Sequence, residues 1–394
     1  MRRRKLFLAI GLPFAAGAAT IGLLALAGSD RNGYQLPGTP YFKGGYEWWW
    51  HSLVARSRKD GSLQPFFIEY YVINPATGSS EIALGGSGRR PSYAKLIAGA
   101  WGARKTVLEE YFPVTAFAAS RERMDVKIGP NRATDSELRG ELVGRAGGCG
   151  SAERLAWNLR ADKILSFDVG FLGGRLFQRL GAFDMLWHVP GMQTKYSGTI
   201  EWNGTVYDVE PETSYGYQDK NWGRDYTAPW YWLSCNNFVS RISGNAVSLT
   251  SLDVGGGNPK VYGISLGRDK VLVALYYKGV LREWNFTHPL DLTRQAVRVE
   301  EQADVISWRI AAESRRDRIE IEFTNPTSEM VEIVYENPEG RVPLARLWNG
   351  GTASGSVRLY EKTEGRGKTW ELVDWLEGTF GQGEYGIPAR ERSR

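Results

Sequence analysis

From Asp30 onward the chain is written in short runs of β-branched and aromatic residues, each cut off by Gly, Asn, Asp or Pro. Such runs suit strands, and the residues that cut them suit tight turns. Phe66 to Ile73 ends at Asn74-Pro75, and Met124 to Ile128 ends at Gly129-Pro130. Ser197 to Trp202 and Thr205 to Val209 flank Asn203-Gly204, a dipeptide that supplies positive φ at both positions of a type I′ hairpin turn. Val247 to Val254, Val261 to Leu266, Val271 to Tyr277, Ile319 to Phe323 and Met330 to Tyr335 extend the pattern as further strands. The pattern predicts an all-β chain of consecutive antiparallel strands, closed into barrels or sandwiches. The few helices expected are short, such as Lys163 to Leu172. The length of 394 residues favours two barrel-like halves, 31–200 and 201–394, over one barrel.

Residues 1–30 read as a targeting segment. Arg2, Arg3, Arg4 and Lys5 form a basic start, and Leu6 to Ala27 carries no charge. Ala25-Leu26-Ala27 followed by Gly28 suits a signal peptidase, while the apolar run is also long enough to span a bilayer. A cleaved signal and a membrane anchor both fit. Either way the basic end stays inside and the rest is exported, to a periplasmic or other extracytoplasmic space or to the membrane surface.

The aromatic residues are unevenly placed. Seven of the 15 Trp fall in three stretches: Tyr46 to His51, Leu186 to Met192, and Gly216 to Asn236. Two of the three His, His51 and His188, lie there too. On a strand, Glu47, Trp49 and His51 share one face, Trp48 and Trp50 share the other, and Trp230 and Trp232 share a face. Aromatic walls with a few converging polar groups are how apolar ligand pockets are built, although Trp also fills β cores for its area alone. Glu47 and Asp219 stand inside these aromatic runs. A carboxylate there is paired, exposed or functional, and Lys220 and Arg224 are near enough in sequence to pair with Asp219.

The stretch from Trp187 to Phe238 resembles the tocopherol cyclase family. The resemblance rests on Trp187, Pro190, Met192, Asn203-Gly204, Asp219-Lys220-Asn221-Trp222-Gly223, Pro229, Trp230, Trp232, Cys235, Asn236 and Phe238. Carotenoid 1,2-hydratases of the wider superfamily resemble it in Tyr217, Asp219 and Asn221, with Trp187 and His188 shortly before. The start at Glu47 to Trp50 is more similar to that hydratase branch. The cyclases usually have Glu where this chain has Asp219, and their opening motif differs from Trp48-Trp49-Trp50-His51. The resemblance implies two consecutive lipocalin-like antiparallel β-barrel halves after the N-terminal segment. It also implies cofactor-free, acid-catalysed cyclisation or hydration of an isoprenoid or prenylquinone-type lipid.

That chemistry assigns expected roles. Protonating a C=C bond needs a carboxylic acid kept neutral near pH 7, which burial among aromatics supplies. Asp219 is the expected acid, His188 its orienting group or proton shuttle, and Tyr217 a positioning phenol. Glu47, Trp49, His51, Trp187, Asn221, Trp222, Trp230 and Trp232 are the expected substrate-binding residues, with indole faces to stabilise a tertiary cation. A non-enzymatic carrier of a hydrophobic lipid, or a structural envelope protein, is an alternative.

Other chemistries find little here. Three His and two Cys leave little room for a zinc or iron site, and no cofactor is expected. There is no G-x-S-x-G elbow, P-loop or H-E-x-x-H. The net charge of +5 is spread without a basic stripe, so no nucleic-acid partner is expected. Cys149 and Cys235 could form one bridge after export, or Cys235 could be a small apolar core residue. His288 reads as an ordinary loop residue.

Overall fold

The computed structural model describes residues 31–389 apart from 87, 146–151, 171–173, 175–177, 179, 266, 288–292 and 364–368. The N-terminal segment, Cys149, His288 and the Arg-rich end from Arg390 lie outside the described residues. The first sheet contains β1 (Tyr46–Ser57), β2 (Leu63–Ile73), β3 (Tyr93–Ala100), β4 (Thr106–Phe112), β5 (Phe117–Ala119), β6 (Asp125–Ile128), β7 (Asn131–Thr134), β8 (Glu137–Arg145), β9 (Ala152–Phe167), β10 (Met185–Trp202), β11 (Thr205–Val209) and β12 (Gly216–Gly223). The second is built from β13 (Trp230–Cys235), β14 (Phe238–Ser240), β15 (Ser251–Gly257), β18 (Lys270–Tyr277), β19 (Val280–Trp284), β20 (Arg294–Gln302), β21 (Val305–Glu313), β22 (Asp317–Pro326), β23 (Val331–Glu332), β24 (Leu344–Lys362) and β25 (Trp370–Pro388). A small hairpin of β16 (Lys260–Val261) and β17 (Ile264–Ser265) belongs to neither. The chain is thus all-β, with two consecutive antiparallel halves.

Neighbours in the first sheet run β4-β3-β2-β1-β11-β10-β9-β8-β7-β6-β5. Strand β12 enters the gap between β1 and β10 where β11 leaves it. Arg56 and Ser57 of β1 pair with β11, whereas Tyr46 to Ser52 pair with β12. In the second sheet the order is β19-β18-β15-β13-β25-β24-β22-β21-β20. The sheets exchange between Gly223 and Trp230; residue 200, the expected division, lies within β10.

Two expectations change. Lys163 to Phe167 is the end of the long strand β9 rather than a helix, because Lys163 pairs with Thr194, Leu165 with Gln193 and Phe167 with Val189 of β10; residues 171 and 172 of the expected helix lie outside the described residues. Cross-strand pairing overrides its local helix propensity. Val261 to Ser265 is not one strand: the chain reverses at Tyr262-Gly263, both with positive φ. The Asn203-Gly204 turn forms as expected, with φ of 49° and 77°.

Period-two alternation divides the apolar residues into three layers. Trp49, Leu53, Phe66, Ile68, Leu96 and Tyr196 fill the first half. Leu233, Leu252, Val273, Trp308, Ile321 and Phe323 fill the second. Between the halves lies an aromatic layer that includes Trp48, Trp50, Tyr71, Trp187, Trp230, Trp232 and Tyr335. Gly255 lets the halves approach: a Cβ there would stand 2.5 Å from Cζ3 of Trp187.

Candidate functional site

Strand β12 presents two chemistries. Tyr217, Asp219 and Asn221 face the aromatic layer between the halves, and Gln218, Lys220 and Trp222 face the first half. Register carries the same division across β1, where Trp50 stands opposite Asp219 and Trp49 opposite Lys220.

Asp219 is held from β10. Its Oδ2 accepts a 2.9 Å hydrogen bond from the Trp187 indole, and Oδ1 has no well-formed hydrogen bond. Burial pushes its carboxyl well above the usual range. The nearby Asp253 and Glu384 carboxylates add to the rise, and the Trp187 and Trp48 indoles oppose it. Three more buried carboxyls turn into the same layer: Glu69 from β2, Asp253 from β15 and Glu384 from β25. Asp253 accepts from the Tyr217 hydroxyl at 2.9 Å and the Trp232 indole at 3.2 Å. Glu384 accepts from the Trp230 indole and the Asn349 amide, each at 2.6 Å. Glu69 accepts from the Tyr335 hydroxyl at 2.8 Å. Burial pushes Glu69 up to about 8 and Glu384 up to about 7, and raises Asp253 well above its ordinary value. The nearby Lys95 ammonium opposes the rise at Glu69; it is itself buried, over the Tyr71, Tyr111 and Tyr335 rings. Indole and phenol groups donate to these acids but carry no charge. The arrangement therefore favours the neutral carboxylic form.

A cleft of about 100 Å³ approaches this layer from the side of β10, β13 and β15. Trp187, Trp230 and Asn221 line it, with Tyr226 and Gly255. Asn221 is fully buried, and among the described residues neither atom of its amide has a hydrogen-bond partner. A buried amide left open on a cleft wall can donate to and accept from one ligand oxygen.

The site residues expected from sequence separate into two groups. Asp219, Tyr217, Trp187, Asn221, Trp230 and Trp232 meet at the aromatic layer. Glu47, Trp49, His51 and Trp222 do not; they lie behind the sheet. Glu47 pairs with Lys220 and accepts from the Gln35 and Leu36 backbone N–H groups, each at 2.9 Å. The Lys220 ammonium sits 4.0 Å from the centre of the Trp49 ring. His51 Nδ1 lies 2.9 Å from the Tyr196 hydroxyl, and burial pushes its imidazole down to about 3. Trp222 packs on Leu36, Tyr41 and Leu186.

His188 is also corrected. It stands opposite Lys220 rather than Asp219 in register, and its Nδ1 lies 3.3 Å from Asp168, which also pairs with Arg31. Burial lowers it to about 4, and its place on the Lys220 side sets it away from Asp219. Lys220 and Arg224, the expected alternative partners of Asp219, pair with Glu47 and Asp184 instead. Cys235 is a buried free thiol that points to the Asn237 and Thr379 carbonyls, and burial pushes it up to about 12.

Glu69, Asp253, Glu384 and Tyr335 escaped the sequence reading. Each acid leaves a trace, a lone carboxylate within an apolar or aromatic strand: Phe67-Ile68-Glu69-Tyr70, Leu252-Asp253-Val254 and Gly383-Glu384-Tyr385. The test applied to Glu47 and Asp219 applied equally to them.

Fold and site together define a two-half all-β protein with neutral carboxylic acids enclosed among indoles and phenols. Residues 91–371 match the model of the family described as tocopherol cyclase-like, and the chain belongs to that family. It is 27% identical over 197 residues to a probable chloroplastic tocopherol cyclase of Oryza sativa subsp. japonica. Over 180 residues it is 27% identical to the chloroplastic tocopherol cyclase of Zea mays. These alignments take in 49% and 45% of this chain but only 37% and 34% of the relatives, so about a third of each plant protein is matched. Among solved structures, a putative AttH from Nitrosomonas europaea aligns with a TM-score of 0.45 at 13% identity, over 88% of this chain and 96% of that one. Kievitone hydratase from Nectria haematococca aligns with a TM-score of 0.45 at 11% identity, over 91% and 97%.

Proposed function

We propose that this chain is a cofactor-free cyclase or hydratase of a prenyl-type lipid, with Asp219 as the acid. The observation that carries the reading is the Asp219 carboxyl, buried, held by one indole N–H and kept neutral by its surroundings. The neutral acid gives its proton to a C=C bond of the substrate, leaving a tertiary cation and an Asp219 carboxylate. The indole faces of Trp187, Trp230 and Trp232 stabilise the cation without trapping it, each by about 0.5–2 kcal/mol. A hydroxyl of the substrate, or a water, then closes on the cation, and the proton it loses returns to Asp219. Tyr217, fixed by Asp253, sits two residues from the acid on the same face and positions the reacting oxygen. Asn221 takes a polar group of the lipid in the cleft. The cleft holds only a small part of a prenyl chain, so binding opens the aromatic side chains between it and Asp219.

Membership of the tocopherol cyclase-like family supports this reading over a passive carrier, as does the enclosed acid, which storage alone does not need. Export or anchoring by residues 1–30 is part of the proposal; among the described residues no helix is long and apolar enough to cross a membrane. The test is turnover by Asp219→Asn, which keeps shape and hydrogen bonding but has no acidic proton. With a prenylated hydroquinone and an acyclic carotenoid as probes, wild type yields an isomer of unchanged mass or a product heavier by one water. The variant is expected to fold and to yield neither; wild-type turnover in the variant overturns the assignment.

A further inference from the structure

The β16–β17 hairpin stands outside both sheets and is tied to the first half by the Phe183 to Val261 bridge and the Tyr262 N–H, which donates to the Ala182 carbonyl at 2.7 Å. Its tip has the same backbone as the Asn203-Gly204 turn. Tyr262 and Gly263 have φ of 51° and 76°, against 49° and 77°. The chemistry differs. Asn tolerates the left-handed region, and the Asn203 side chain also accepts from the Arg154 backbone N–H at 2.8 Å. A bulky aromatic in that region is disfavoured, and Tyr262 still leaves 58% of its surface exposed. Ile264 beside it is 73% exposed, the highest value among the exposed large apolar residues, and Leu180 near the hairpin's attachment is 55% exposed.

The local rule is broken at a side chain left mostly in solvent, which points to an external surface. Its position and charge say which. Pro259, Lys260, Lys270 and Phe183 line the cleft that leads to Trp187 and Asn221, so the hairpin forms part of the cleft's rim. Lys260 belongs to it, and Arg268 and Lys270 follow it closely in sequence. Lys260 reaches Asp225 at 3.4 Å, while Arg268 and Lys270 have no ion-pair partner among the described residues. The one acid in this segment, Asp269, is held by the Tyr231 hydroxyl at 2.7 Å. A narrow tip of one aromatic and one aliphatic side chain above a basic rim is too small for a stable protein interface, but it matches the headgroup zone of an anionic bilayer.

We propose that the Tyr262–Ile264 tip dips into an anionic lipid surface and sets the cleft mouth against the bilayer. This stands on the hairpin alone, whether or not the bound lipid is transformed. The full-length chain carrying Ile264→Cys in a Cys149→Ser background, labelled there with a nitroxide, is mixed with phosphatidylglycerol vesicles. Collisions with oxygen relative to a water-soluble nickel complex are expected to rise several-fold, less so with phosphatidylcholine or with Arg268→Glu. A label at Val280→Cys, at the exposed start of β19, should not change. A label at 264 that stays equally open to the nickel complex overturns the proposal, even if the chain is held to vesicles elsewhere. Loss of both collisions would mean a protein or a second copy covers the tip, and overturns it too. Tyr262→Asn supplies an independent readout: thermal stability kept or raised, lipid contact by the label reduced. A lower Tm in that variant would make Tyr262 a fold residue and overturn the argument.

Discussion

The two faces of β1 and β12 bury acids in opposite ways. Behind the sheet, burial raises the Glu47 carboxyl too, but an ammonium and two backbone N–H groups oppose the rise and favour its charge. In front of it, Asp219, Asp253, Glu69 and Glu384 meet indoles, phenols and one another, with Lys95 near only one of them. Similar burial therefore gives a structural ion pair on one face and a store of neutral acids on the other. Donor charge, more than depth, separates the two.

The largest expected effect breaks the ion-paired side. Glu47→Gln leaves the Lys220 ammonium buried without its counter-charge and should cost about 3–5 kcal/mol in denaturant unfolding, whereas Asp219→Asn should cost far less. Equal losses would erase the contrast. Next is pH. Glu384 and Glu69 have folded values of about 7 and about 8, above the unfolded carboxylate near 4.3. Between those values these two acids hold more protons in the folded chain, so their contribution to stability falls as pH rises from about 5 through 8. His51 and His188, lowered to about 3 and about 4, contribute in the opposite sense only below the unfolded imidazole value near 6.5. A single group shifted as far as Glu384 contributes on the order of 3 kcal/mol by the alkaline end. A pH dependence of Tm that is unchanged in Glu69→Gln/Glu384→Gln would count against neutral acids in the layer.

Smaller effects sharpen the contrast. Gly255→Ala sets a methyl 2.5 Å from Trp187 and should cost about 1–3 kcal/mol by overpacking, with turnover reduced because Trp187 holds Asp219. The smallest is His188→Gln. His188 lies on the Lys220 side with Asp168, so turnover and its pH profile should hardly change. A displaced pH profile would bring His188 back into the chemistry.

How far the sequence reached follows from distance along the chain. Alternation in Glu47 to His51 already separated Trp48 and Trp50 from Trp49, and the Asn203-Gly204 turn is a local code. Which face was the site is not local. It depends on Lys220 reaching back to Glu47, and on acids at 69, 219, 253 and 384 arriving on strands from both sheets. A tyrosine at a turn reads as strand, so the hairpin at Tyr262 looked like one extended run. The cyclase-like motif drew attention to β12 as a whole, and with it to Trp222 and His188, neighbours in sequence that point the other way.

The lodging of β12 between β1 and β10 also imposes a parity rule on inheritance. Odd positions 217, 219 and 221 face the aromatic chamber between the halves, and even positions 218, 220 and 222 serve the packed interior. A deletion or insertion of one codon within the strand would deliver an ammonium to the chamber and a carboxylic acid to the interior. Variation in what the chamber accepts is thus open to substitution at odd positions and closed to changes of length.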